Sequence, residues 1–276
     1  MRILFIGDVV GRAGRHAVDK YLPDSILKWR IDFTVVNGEN SADNGFGITE
    51  EIYNEMIAAG ADAVTLGNHS WNRREALLFI DRAPRLLRPI NYLPGAPGKG
   101  AAVIKARTGS PVLVICALGR LLMDPVQDPF SLVEQELTAY SLTHSVSAAI
   151  VDCHCEATSE KQAMGHFCDG RASLVAGTHT HTPTADHQIL PRGTGYMTDA
   201  GMTGDYDSVV GMQKGEAIRR FTTGISAARL EPAAGMPTLC GIAVETDDST
   251  GLAVRIAPVR LGGRLEEAVP VFWISD

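Results

Sequence analysis

The chain has 276 residues, 45% of them hydrophobic, enough to bury a large core, and residues 1–276 are read as a single domain. With 25 Lys and Arg against 32 Asp and Glu, a net charge of −7, the chain lacks the basic footprint that long nucleic acid demands, and a small phosphate drawn to a bound cation fits better. Five cysteines without a CxxC pair argue against a disulfide framework or a structural zinc finger; no apolar run is long enough to cross a bilayer, Met1-Arg2-Ile3-Leu4 runs directly into a strand pattern, and a cytoplasmic protein with reduced thiols and no membrane partner is expected.

In chain order, Arg2–Ile6 reads as a buried strand. A glycine-rich turn at Gly7, Gly11 and Gly14 leads to an apolar-periodic helix ending near Trp29, with an interruption expected at Pro23. Phe33–Val36 is the next strand, Thr49–Ala59 a helix that Gly60 stops, Ala63–Leu66 a third strand and Arg74–Arg82 a further helix. This β-α-β-α alternation implies a largely parallel sheet with right-handed crossovers. Between Leu86 and Leu118 the pattern changes to shorter strands, Ala101–Lys105 and Val112–Cys116, around a turn at Gly109, Ser110 and Pro111, and a second sheet is expected there. Phe130–Tyr140 and Ser159–Phe167 then read as helices, Ala148–Val151 and Leu174–Ala176 as strands. The final stretches, Ile189–Leu190, Gly195–Thr198, Leu239–Glu245 and Leu252–Pro258, are expected to be antiparallel and hairpin-like. No internal repeat, low-complexity block or linker is visible.

Five apolar runs close on a metal-type ligand: ILFIGD at Asp8, FTVVNGEN at Glu39 and Asn40, AVTLGNH at Asn68 and His69, AAIVDCH at His154, and LVAGTHTH at His179 and His181. In open α/β sheets ligands gather beyond the strand carboxyl ends, so this pattern points to a polynuclear metal site and a metallohydrolase. Each signal has a bland alternative when taken alone. Asp8 and Glu39 read equally as turn or helix-cap residues, and Asn68-His69 as a turn Asn beside a solvated His. His179 and His181 are expected to share one face of an extended segment while Thr180 points away, holding one metal each or the same metal. His154 lies between Cys153 and Cys155, which alternation turns to the opposite face as packing residues. His16, His144, His166 and His187 follow no comparable strand ending and read as structural. It is the recurrence at five successive strand ends that favours the metal.

Taken together, GDxxG at Gly7–Gly11, GEN at Gly38–Asn40, GNH at Gly67–His69, the lone His154 and GTHTH at Gly177–His181 resemble the calcineurin-like metallophosphoesterases. The closer resemblance is to the YmdB-like subfamily, whose pattern also includes HCEATSEK from His154 to Lys161 and TDAGMTGDYDSVVGM from Thr198 to Met212. The resemblance runs to about Met212. It implies an α/β fold, a four-layer αββα sandwich of two mixed sheets flanked by helices. It further implies two divalent or trivalent metal ions, the first held by Asp8, Glu39, Asn40 and His181, with Glu39 bridging to a second held by Asn68, His154 and His179. Iron, manganese or zinc suits this nitrogen and oxygen donor set. Two departures from the commoner family pattern stand out: GDVVG lacks the usual first-motif His, for which Asn40 is the candidate substitute, and Ser70 replaces the Asp that usually follows GNH, which leaves the duty of His69 open.

The expected reaction is hydrolysis of small phosphodiesters, 2′,3′-cyclic nucleotides in the first place, by a hydroxide shared between the metals, with His69 donating the proton to the leaving alkoxide. Alternatives on the same site are a phosphomonoesterase, such as a nucleotidase or phosphoprotein phosphatase, and a low-turnover regulatory protein that binds nucleotide; a homo-oligomer is expected. Ser159 with Gln162 fits a helix capping pair, and the functional alternative has Thr158, Ser159 and Lys161 at that helix start assisting a phosphate. Thr198–Met212 reads as a loop over the site or at a subunit contact.

Overall fold

The structure, a computed structural model, describes residues 1–274. The first half follows the predicted alternation: β1 (Arg2–Ile6), α1 (Gly11–Trp29), β2 (Phe33–Asn37), α2 (Glu50–Ala58), β3 (Ala63–Thr65), α3 (Ala76–Phe79) and β4 (Leu86–Leu87). A second set follows, β5 (Ala101–Lys105), β6 (Pro111–Leu118), α4 (Pro129–Ala139), β7 (Ala148–His154), α5 (Thr158–Cys168), β8 (Leu174–Thr178), β9 (Gln188–Ile189) and β10 (Gly195–Met197). The chain closes with β11 (Gly204–Asp205), α6 (Lys214–Thr223), β12 (Pro237–Thr246) and β13 (Ala253–Leu261).

Two mixed sheets result. One has the order β11-β12-β1-β2-β3-β4, with β13 also paired to β12, and the other β5-β6-β7-β8-β10-β9. β1 to β4 run parallel, as do β6, β7, β8 and β10, while β12 returns antiparallel beside β1. The expected second sheet is therefore present. The terminal hairpin is β12 with β13; β10, in contrast to the expectation, lies parallel to β8, and the antiparallel pairing there is limited to β9. The excursion after β8 returns the chain to the same end of the sheet before β10 begins, and a strand re-entering from that end must run the same way.

Side-chain alternation sorts the strands into layers. Ile3 and Phe5 of β1, Phe33 and Val35 of β2, Val112 and Val114 of β6 and Ile150 of β7 fill the space between the sheets. Leu4, Ile6, Val36 and Val64 face the other way, against Val18, Leu22 and Trp29 of α1 and Met56 of α2. Leu113, Ile115 and Val151 pack on Val133 and Leu137 of α4 and Met164 of α5. Helices thus cover both outer faces, giving the four-layer αββα sandwich, and strands buried on both faces read as unbroken apolar runs. Helix α1 passes through Pro23 without the expected interruption. The missing N–H costs about 3 kcal/mol, and burial of neighbouring Leu22 and of Trp29, each worth about 1.5–3 kcal/mol, offsets it.

Candidate metal centre

The carboxyl ends of β1, β2 and β3 in one sheet and β7 and β8 in the other meet at one edge of the sandwich. Each carries the side chains singled out from the sequence. Asp8, Glu39, Asn40, His154 and His181 are buried, and Asn68, His69 and His179 are half-buried. One imidazole nitrogen is the focus: His154 Nε2 lies 3.0 Å from Glu39 Oε1, 3.0 Å from Asn68 Oδ1 and 3.1 Å from His179 Nδ1. Beside this group, Asp8 Oδ1 stands 4.0 Å from His181 Nε2 and 3.7 Å from His154 Nδ1.

The tautomer of His154 follows from its other side. Asp152, buried two residues earlier on β7, accepts hydrogen bonds from Asn37 Nδ2, Thr65 Oγ1 and Thr178 Oγ1. The single hydroxyl proton of Thr178 is thereby committed to Asp152, so at 2.8 Å the Thr178 oxygen accepts from His154 Nδ1–H. Nε2 is left able to ligate, an arrangement like that in which a histidine's second partner fixes the ring for a metal. His181 is set similarly, its Nδ1 2.9 Å from the Val210 carbonyl with Nε2 toward Asp8.

Charge is arranged accordingly. Burial pushes the Asp8 carboxyl up to about 6, partly offset by the imidazoles of His181 and His154. For Glu39 burial works in the same direction, but the charge and hydrogen bond of His154, and then His69, outweigh it and bring the carboxyl down to about 2. Burial pulls His154 down, yet Glu39, Asp8 and Asp152 together raise it to about 9. His179 falls to about 3, through burial first and the neighbouring His154 charge second.

A metal fits this donor set on three observations. Glu39, His154 and His179 offer one ligand atom each within 4.8 Å of one another. Asp8 Oδ1 and Asn40 Oδ1 are buried without a hydrogen-bond partner, although Asn40 Nδ2 is engaged by the Gly45 carbonyl. Gly67 leaves room that a side chain would fill, since a Cβ there would stand 2.3 Å from Glu39 Oε2 and 2.5 Å from His154 Nε2.

His69 occupies the wall of a cleft of about 360 Å³ that also includes Glu39, His179 and His181. Its backbone N–H donates to Glu39 Oε2, its Nε2 lies 3.3 Å from Asn68 Nδ2, and the Phe46 ring meets it edge-on with centroids 4.8 Å apart. Ser70, in the place of the usual Asp, spends its hydroxyl on the Gly67 carbonyl. The ring is thus seated by Phe46 and Asn68.

Three expectations need correction. His179 and His181 do not lie on an extended segment: β8 ends at Thr178, and both residues take left-handed backbone conformations, φ 97° and 64°. Thr180 between them is clamped, its N–H and hydroxyl both donating to Asp199 Oδ2. The helix after His154 begins at Thr158 with Ala157 as its cap residue and no side-chain cap, so the Ser159–Gln162 capping pair does not form. Lys161, expected to assist a phosphate, is fully buried, its Nζ 2.7 Å from Asp199 Oδ2, because the first turn of α5 points it under the ligand loop. Thr158 and Ser159 lie at the surface, and neither they nor Lys161 line the cleft, which on that side stops at Glu156. Cys153 and Cys155 pack in the outer core, and His16, His144, His166 and His187 lie at the surface, away from the cleft.

Sequence reasoning missed Asp152, Glu156, whose Oε2 lies 3.1 Å from His179 Nε2, and the apolar residues Phe46, Val210 and Met212 of the cleft. Of these, Asp152 left a signal of its own, an acid inside an otherwise apolar strand, while Glu156, Val210 and Met212 lie within the stretches HCEATSEK and TDAGMTGDYDSVVGM without being singled out there. Thr198–Met212 lies at the site: Thr203 N–H donates to the Asp8 carbonyl, and Val210 holds His181.

The sequence profile of the YmdB-like proteins matches residues 4–259. A protein of Bacillus subtilis (strain 168) named 2′,3′-cyclic-nucleotide 2′-phosphodiesterase is 49% identical over 256 residues, which span 93% of this chain and 95% of that protein. The fold matches the crystal structure of a hypothetical protein from Thermus thermophilus, with a TM-score of 0.87 and 39% identity over 96% of this chain and all of that one. It also matches a crystal structure described as a novel phosphatase of Mycoplasma pneumoniae, with a TM-score of 0.87 and 30% identity over 100% of this chain and 96% of that one.

Proposed function

The chain belongs to the YmdB-like protein family, and from that premise we propose that it is a dinuclear metal-dependent phosphodiesterase cleaving 2′,3′-cyclic nucleotides. It is a phosphoester hydrolase, in keeping with the phosphodiesterase and phosphatase relatives. The observation that carries the finer reading is the crowding at His154 Nε2, where a carboxylate, an amide oxygen and a second imidazole approach within 3.1 Å. One N–H cannot serve three such partners, whereas one cation can.

In this reading Glu39, Asn68, His154 and His179 would hold one ion, and Asp8, Asn40 and His181 together with Glu39 would hold the other. Iron or manganese suits the donors best, and zinc is the alternative. When bound, the ions supply a nucleophile from water near neutral pH and neutralise charge on the phosphoryl oxygens. The chain's own residues do the rest. Thr178 keeps the His154 proton on Nδ1, and Val210 does the same for His181. Phe46 and Asn68 seat His69 on the cleft wall, where it donates a proton to the departing ribose oxygen.

Turnover of 2′,3′-cyclic AMP by the manganese- or iron-loaded protein tests the proposal. Cleavage of the 2′ bond yields the 3′-monophosphate over many turnovers. Nucleotide binding without turnover under any divalent metal would favour the regulatory alternative, and faster hydrolysis of the monoester than of the cyclic diester would favour a phosphomonoesterase.

A further inference from the structure

Besides its candidate ligands the cleft has an apolar lining. It is made by Phe46, Val210, Met212 and Leu230, whose side chains carry no nitrogen or oxygen, with Phe46 against the His69 ring and Val210 next to His181. These residues come from three distant segments. Val209 and Met212 exchange both backbone hydrogen bonds at 2.9 Å, making a two-residue hairpin with Val210 and Gly211 at its centre. Both central residues have positive φ, 46° and 89°, the hand of a type I′ turn. That turn prefers Asn at its first central position, and a β-branched residue with positive φ is a backbone outlier. Here the position is Val210, a residue 54% exposed that lines the cleft. The second strand of the hairpin is held by the segment that carries Leu230, through Gln213 N–H to the Glu231 carbonyl and Ala233 N–H to the Gly211 carbonyl.

A strained, exposed valine beside a candidate ligand is unfavourable for the fold in two ways, conformation and exposure, and the second is relieved if a flat apolar group lies on it. We propose that Phe46, Val210, Met212 and Leu230 form a platform for the nucleobase of the substrate, one that reads the base as an apolar surface and not by its hydrogen-bonding edge. This inference rests on the phosphodiesterase reading of the adjoining site. It adds that substrates bearing a base are favoured over cyclic phosphates without one, and that adenine and guanine are accepted alike.

The metal-loaded enzyme is assayed with 2′,3′-cyclic AMP, 2′,3′-cyclic GMP and glycerol 1,2-cyclic phosphate, which has no base. The expected result is a higher kcat/KM, carried by a lower KM, for both nucleotides, with the two nucleotides within about threefold of each other, since stacking is sequence-tolerant. Val210→Asn keeps the backbone carbonyl that holds His181 and suits the turn, so thermal stability is expected to hold or rise. The ratio of kcat/KM for cyclic AMP to that for the glycerol ester is expected to fall about five- to tenfold, and to fall similarly in Leu230→Ala. An unchanged ratio in both variants, no advantage of nucleotides over the glycerol ester, or a preference above about tenfold between adenine and guanine overturns the platform. Absence of turnover on all three substrates overturns the phosphodiesterase reading instead, and the two failures are distinct.

Discussion

His154 is set by Asp152 and Thr178 before any metal arrives, and Glu39 and His154 stabilise each other by charge. In chelator-stripped protein the raised His154, at about 9, holds a proton on Nε2 at neutral pH. Metal loading must displace that proton, so affinity is expected to fall as pH falls below about 9, by up to about tenfold per unit. Calorimetric titration with Mn²⁺ in buffers of different ionisation enthalpy reads the released proton, and a heat independent of buffer would contradict the assignment. His69 makes a different prediction. If it protonates the leaving oxygen, His69→Ala lowers kcat on 2′,3′-cyclic AMP about 10²-fold or more. Bis-p-nitrophenyl phosphate, whose leaving group departs without a proton, should suffer much less. Equal losses on both substrates would assign His69 to binding. At this scale the sequence disclosed which side chains gather at the sheet edge, because each ends an apolar run, while Thr178 at the end of β8 and Val210 in its hairpin turn stayed hidden, since neither residue type carries a sign of what it touches.

Among the elements, the parallel strands were the most legible, because burial on both faces writes a continuous apolar run that ends where the ligand begins. Loops were less so. The backbone at His179 and His181 is decided by the clamp of Thr180 on Asp199, 19 residues downstream, and no local pattern predicts it. The start of α5 shows the same limit: Ser159 and Gln162 have the right spacing for a cap, yet the register is set by Lys161 reaching the same Asp199. Pro23 stays inside α1 because packing of its neighbours on the sheet outweighs one lost hydrogen bond. Gly67, at the end of β3, gives the test proper to this scale. A methyl group there would collide with Glu39 and His154, so Gly67→Ala is expected to weaken metal binding about 10–100-fold, read by metal content after dialysis, with little change in far-UV circular dichroism. Full metal retention would show that the cradle yields more readily than its geometry implies.

For the whole molecule, the proposed ligands come from both sheets, three strand ends in one and two in the other. Metal binding at the proposed centre would therefore tie the two halves of the sandwich together. At a free concentration about a hundred times the dissociation constant, one ion bound only by the folded state adds about 2.7 kcal/mol, which in a chain of this size raises Tm by about 5–10 °C. Chelation followed by calorimetry checks this, and an unchanged Tm would mean that the ligands are not gathered by the ion. The pairing of β1 has a further consequence during synthesis on the ribosome. Arg2 lies opposite Glu245 and Ile6 opposite Gly241, so one flank of β1 waits until β12 has been made. At roughly 5–20 residues per second, the nascent chain carries that bare apolar edge for on the order of ten seconds or longer, a window in which a chaperone or a neighbouring polypeptide competes with β12 for it.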